Sequence, residues 1–150
     1  MNNTFSFPFL ISLLLFITAC DPGDSRLKVR NESQAPIYIT YSSDTILPPD
    51  PFCPKGYYLN GNDTITYFNC DARVDPDSTK AIFIRTFKAW EKFIKNQCKD
   101  SKLKVFILSE QVLTEIPWDS ISNNNLYLKR YDLSLDSIKK LYWIITFPMN

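Results

Sequence analysis

An uncharged apolar stretch that stops at a cysteine decides how much of this chain is free to fold. Residues 1–19 carry no charged side chain, and between Phe7 and Ala19 only Pro8, Ser12 and Thr18 interrupt the apolar run. A helix across a bilayer core needs about 20 residues. This run is shorter, and it matches the roughly 7–15-residue apolar region of an export signal that ends in small residues. Directly after Cys20 the sequence turns polar, as Asp21-Pro22-Gly23-Asp24, in the manner of a linker. The chain therefore divides into a signal peptide over 1–19, a tether over 20–25 and one globular domain over 26–150. About 130 residues follow the leader, enough for one sizeable core and hardly for two.

The end of the run, Ile17-Thr18-Ala19-Cys20, resembles the lipobox of bacterial lipoproteins. The resemblance implies cleavage before Cys20, a diacylglyceryl group on its thiol, and a further acyl chain of the palmitate kind on the new amino group. One acyl chain holds a protein to a membrane only marginally, whereas two or more anchor it stably, at roughly 0.8 kcal/mol per buried CH₂. The leader departs from the usual pattern in one respect: Met1-Asn2-Asn3-Thr4 lacks the customary Lys or Arg. Asp21 and Asp24 resemble the acidic surface-export signals that follow the cysteine in Bacteroidetes lipoproteins.

Charge and cysteine usage narrow the function classes. Seventeen basic and sixteen acidic residues leave a net charge of +1, without a run of one sign. Read along the chain, this is no footprint for nucleic acid and no basic patch for anionic lipid. Histidine is absent, which removes every Ser-His and Cys-His catalytic arrangement and the commonest zinc ligand. Beyond Cys20 stand Cys53, Cys70 and Cys98. In an oxidising compartment three cysteines allow one disulfide and leave one thiol over. The pairing stays open. Cys53 with Cys70 is favoured because both lie in turn-rich sequence. A three-thiolate metal site lacks a close C-x-x-C pair. No cofactor is expected.

Residues 27–31 and 36–41 alternate apolar and polar and predict an antiparallel hairpin. Residues 42–63 hold Pro48, Pro49, Pro51, Pro54, Gly56 and Gly61, and read as a long irregular excursion. Short strands are expected at 64–68 and 80–85, with a turn at Asp75-Pro76-Asp77. The period then changes, and the spacing of Phe87, Trp90, Phe93 and Ile94 predicts a helix over 88–97. A strand of alternating apolar residues follows over 103–108, then a short helix over 110–116 ended by Pro117, a turn over 118–121 and a strand over 126–131. Ser134 is placed to cap a helix over 135–141, and 142–147 closes as a strand. The order implies α+β: an antiparallel sheet or sandwich-like β core carrying two or three short helices, mainly in the C-terminal half. A parallel βαβ arrangement of that half is the alternative.

The segments Tyr127-Leu128-Lys129-Arg130-Tyr131-Asp132-Leu133-Ser134-Leu135-Asp136 and Leu141-Tyr142-Trp143-Ile144-Ile145-Thr146-Phe147-Pro148 are similar to the C-terminal end of a group of small Bacteroidetes envelope lipoproteins. Val29-Arg30-Asn31-Glu32-Ser33 and Asp44-Thr45 resemble that group's opening. The resemblance implies an outer-membrane address and a shared fold, and no activity or functional residue comes with it. Bacteria of that kind attach O-glycans at Asp-(Ser/Thr)-(Ala/Ile/Leu/Val/Met/Thr). Tripeptides of this form begin at Asp44, Asp63, Asp77, Asp119 and Asp136, making Thr45, Thr64, Ser78, Ser120 and Ser137 candidate sites. Asp-Ser at a helix start is also ordinary capping chemistry, which competes at Ser120 and Ser137. Thr45 and Thr64, in or beside the excursion, are the better placed.

Few residues suggest reaction chemistry. Asp75 with Asp77, and Asp132 with Asp136, are carboxylate pairs of the kind glycoside hydrolysis uses, but they read as a turn and as a strand-to-helix junction. Asn60-Gly61-Asn62-Asp63 lacks the spacing and closing Glu of a calcium loop. Among the aromatics, Trp90, Trp118 and Trp143 fit core positions, whereas Tyr57 and Tyr58 are candidates for an exposed contact surface. The reading is a membrane-anchored envelope lipoprotein whose domain is a non-enzymatic binding or assembly module, with an envelope protein or a glycan as partner. The alternatives are a small envelope enzyme acting on carbohydrate through carboxylates, and a subunit of a larger surface complex.

Overall fold

A computed structural model describes residues 23–48, 55–60, 63–68, 72–84 and 90–148. In chain order these form β1 (Lys28–Asn31), β2 (Ile37–Ser42), β3 (Lys55–Asn60), β4 (Asp63–Phe68), β5 (Arg73–Val74), β6 (Thr79–Ala81) and α1 (Trp90–Gln97). There follow β7 (Lys102–Ser109), α2 (Glu110–Glu115), α3 (Trp118–Asn124), β8 (Lys129–Ser134), α4 (Leu135–Lys140) and β9 (Ile144–Phe147). The fold is α+β. Two sheets, ordered β5-β2-β7-β8 and β6-β1-β9, share one core, and β3 and β4 pair as a separate ribbon.

β7 is the centre of the larger sheet. It runs antiparallel to β2, Thr40 opposite Phe106, and to β8, Val105 opposite Tyr131. Residues 103–108 are all buried, so the expected alternation gives way to a continuous apolar run. The reason is that α1 and α2 both contact this strand within the shared core, which leaves it no solvent face. The exception in kind is Lys104, a buried cation whose ammonium bonds the Asp100 carboxylate and, at 3.0 Å, the Lys102 carbonyl. Cys98, at the end of α1, is a buried free thiol, and burial pushes its pKa up.

β1 and β9 behave differently. Lys28 and Arg30 face out while Val29 and Asn31 are buried, and in β9 Ile145 and Phe147 are buried while Ile144 and Thr146 face out. One face meets the core and the other meets water.

The anticipated β1–β2 hairpin does not form. β1 pairs with β6 and β9, whereas β2 pairs with β5 and β7. Asn31 accounts for the crossing: its buried side-chain amide donates to the carbonyls of Ala35 (2.8 Å) and Val74 (3.0 Å), and its Oδ1 accepts from the Ser33 amide (2.9 Å). The turn is thus fastened to β5, and the chain passes from one sheet to the other. A parallel pair does occur, β1 with β9 in the register Lys28–Ile144 to Asn31–Phe147, but it joins distant segments and is not a βαβ unit.

Three other expectations shift. The excursion over 42–63 contains β3, which pairs with β4 from Lys55–Phe68 to Asn60–Asp63. The expected turn over 118–121 is the start of α3, which makes four helices among the described residues. The strand expected at 126–131 begins at Lys129 instead, because the Leu126 amide bonds back to the Ile121 carbonyl (3.0 Å) and completes the end of α3. Ser134 caps α4 as expected, its hydroxyl accepting from the Ser137 amide at 3.2 Å.

Candidate functional site

The densest polar network of the described residues surrounds the point where the chain joins the domain. Gly23 lies under Phe83: a Cβ there would sit 2.2 Å from the ring's Cζ and 2.8 Å from the Ile84 carbonyl, so only glycine fits. Asp24 bridges to Ile84, whose amide donates to the Asp24 carbonyl at 3.4 Å. The Asp24 carboxylate accepts from the Arg26 guanidinium at 2.7 and 3.0 Å and from the Trp90 amide at the start of α1 at 3.0 Å. Arg26 also reaches Glu91 at 2.9 Å and lies over the Trp143 ring, 4.2 Å from its centroid.

The hydrogen bonds from Arg26 hold the Asp24 carboxyl down at about 2, against an ordinary 3.8, with burial working the other way and the Trp90 amide adding to the lowering. Arg26 likewise holds Glu91 below its usual range. Segments 24–26, 90–91 and 143 are thereby clamped together. Since β1 and β9 start at this pole and β6 ends there, it also collects the α4–β9 turn.

That turn is unusual. The Trp143 amide bonds the Ile138 carbonyl and the Tyr142 amide bonds the Lys139 carbonyl, both at 3.0 Å. This is the Schellman end of a helix, in which glycine or asparagine normally takes the left-handed position. Here Tyr142 takes it, at φ 51°, and Trp143 follows at φ 65°. A left-handed residue bearing a side chain costs about 1 kcal/mol or more. α3 ends in the same turn with the accustomed Asn125, at φ 54°. Tyr142 is 85 % exposed, so contacts within the fold do not account for its presence.

The residues singled out in the sequence are scattered. Cys20, Cys53 and Cys70 lie outside the described residues. Tyr57 falls in β3 opposite Thr66, Tyr58 opposite Ile65, and Thr64 in β4 opposite Leu59. Thr45 is exposed after β2, with Asp44 bonded to its amide (2.7 Å) and ion-paired to Lys99, and with Arg130 donating to its carbonyl at 3.3 Å. Ser78 is half-buried and donates to the Asp75 carbonyl at 2.7 Å. Ser120 sits in the first turn of α3, and Ser137 bonds its capping neighbour Ser134 at 2.9 Å. The local capping interpretation describes these last two well.

Asp75 and Asp132 are each ion-paired to an arginine two residues away, Arg73 at 3.0 Å and Arg130 at 2.8 Å. Trp90 is fully buried against Tyr41 and Phe93, Trp118 donates to the Pro48 carbonyl at 3.0 Å, and Trp143 is half-buried under Arg26. Sequence reading passed over Arg26, Phe83 and Tyr142. A signal was present for the first: an arginine two residues from an acid, where the tether meets the first strand.

Among the described residues no helix is long and apolar enough to cross a membrane, and no group of three His, Cys, Asp or Glu side chains is placed to hold a metal. No known protein family, curated protein or solved structure matches the chain.

Proposed function

We propose that the chain is an outer-membrane lipoprotein held by acyl chains on Cys20, and that its domain is a non-enzymatic binding or assembly module. The observation that carries the anchor is continuity. Gly23, three positions after Cys20 in the sequence, is already pinned into the fold by Phe83 and by the Asp24–Arg26–Glu91 network. The intact mass of chain purified from host membranes tests this. The expected mass lacks residues 1–19 and carries a diacylglyceryl group and an acyl chain, and Cys20→Ser releases the protein from the membrane. An unmodified chain in the soluble fraction would overturn it.

The contact element for an envelope protein or glycan is the β3–β4 ribbon bearing Tyr57 and Tyr58, which pairs with no other strand among the described residues. Its register supports the Cys53–Cys70 disulfide, because each cysteine stands two positions outside the pair Lys55–Phe68. Burial of Cys98 in the core leaves that thiol as the odd one. O-glycosylation is expected first at exposed Thr45, and hexose-sized increments in the same mass spectrum report it.

A further inference from the structure

Resting on that anchor, we infer that the pole around Gly23 lies against the lipid headgroups and fixes the domain's orientation on the membrane. Two residues, Asp21 and Pro22, separate Cys20 from Gly23, and the three steps limit their separation to about 10 Å even when fully extended. With Gly23 held under Phe83 and Asp24 bonded to Ile84, there is little slack between acyl chains and fold. Whatever this pole presents meets the interface.

It presents the side chains an interface selects. Phe83 is half exposed, and Leu141, Tyr142 and Ile144 form an exposed run on the neighbouring turn. Lys28 is the ladder partner of Ile144, and Lys139 and Lys140 end α4 just before the turn. All three lysines are exposed, and none is in an ion pair among the described residues. Arg26 bonds both carboxylates of this pole, Asp24 and Glu91, which leaves one negative charge against the three lysines. Tyrosine suits the headgroup level, and lysines beside it favour anionic lipid. The left-handed turn that lifts Tyr142 into solvent is accounted for by a contact outside the protein.

The test uses the lipidated full chain, purified from membranes and reconstituted in phosphatidylethanolamine–phosphatidylglycerol vesicles. A tryptophan is placed at the pole by Tyr142→Trp, or on the β1–β2 turn at the other end of β1 by Gln34→Trp. Emission is compared in ordinary lipids and in lipids brominated near the headgroup end of the acyl chains, and flotation reports anchoring. Quenching about twofold greater for Tyr142→Trp than for Gln34→Trp is expected, because interfacial burial reaches roughly 5–10 Å. In otherwise native chain, Tyr142→Gly with Lys139→Gln and Lys140→Gln should reduce the quenching of the native tryptophan emission, to which Trp143 at the pole contributes, while flotation persists. Equal quenching of the two probes in chain that floats overturns the orientation and leaves the anchor standing. Chain that does not float overturns the anchor, and the orientation falls with it.

Discussion

β2, β7 and β8 meet as antiparallel neighbours around one strand buried on every side, whereas the smaller sheet joins residues 28–31, 79–81 and 144–147 from across the chain. The first arrangement draws its stability from apolar burial in β7 itself. Both close long loops, but the second closes the longer one: 112 residues lie between β1 and β9 against 59 between β2 and β7 (144 − 31 − 1 and 102 − 42 − 1). The larger sheet is therefore expected to govern global stability, and the smaller one to open more readily. Yet the smaller sheet carries the pole at Gly23.

The contrast can be broken first at β7. Phe106→Ala should cost about 3–5 kcal/mol in urea denaturation and expose amides of both sheets together. Ile145→Ala in β9 should cost about 2–4 kcal/mol, and native-state hydrogen exchange should rise in β1 and β6 before β7. Equal opening in both sheets would show one cooperative unit and erase the distinction.

Asp24→Asn acts at the clamp. The folded carboxyl sits at about 2 against 3.8, so its stabilisation is present above the ordinary carboxylate range and disappears as pH falls from about 5 toward 2. Allowing for solvent around half-exposed Arg26, the loss at neutral pH should be about 1–2 kcal/mol. The variant should show a flatter stability profile over that window. The smallest change is opposite in sign: Tyr142→Gly should raise stability by about 1 kcal/mol, because glycine meets no penalty in the left-handed position. A thermal melt reads it, and no gain would mean that Tyr142 is held by contacts within the fold.

The sequence revealed elements better than neighbours. Alternation in 27–31 and 36–41 identified two strands, but period says nothing about which strand lies alongside, and β2 is buried on both faces over 37–40. Asn31 decided that through bonds to Ala35 and Val74, the latter 43 positions away. The proline cluster masked β3, although Tyr57-Tyr58-Leu59 and the two-residue link Gly61-Asn62 are hairpin signals. Pro117 signals the stop of α2 in the sequence but also precedes α3, whose end is set by left-handed Asn125. The pole near Gly23 was least legible: Phe83, Lys28 and Tyr142 are brought to one end of a sheet only by the β1–β6 and β1–β9 pairings. Linear charge balance concealed the lysines there.

The parallel pairing of β1 with β9 also gives the molecule a direction. Lys28 starts β1 where Ile144 starts β9, so the chain leaves Phe147 beside Asn31, about 10 Å farther along the strand axis. A reporter or affinity handle fused behind Phe147 would project from the Asn31 end of the pair, away from Gly23, while any side chain placed at position 23 would have to displace the Phe83 ring. For anyone labelling this protein, the two ends of the β1–β9 pair are not interchangeable.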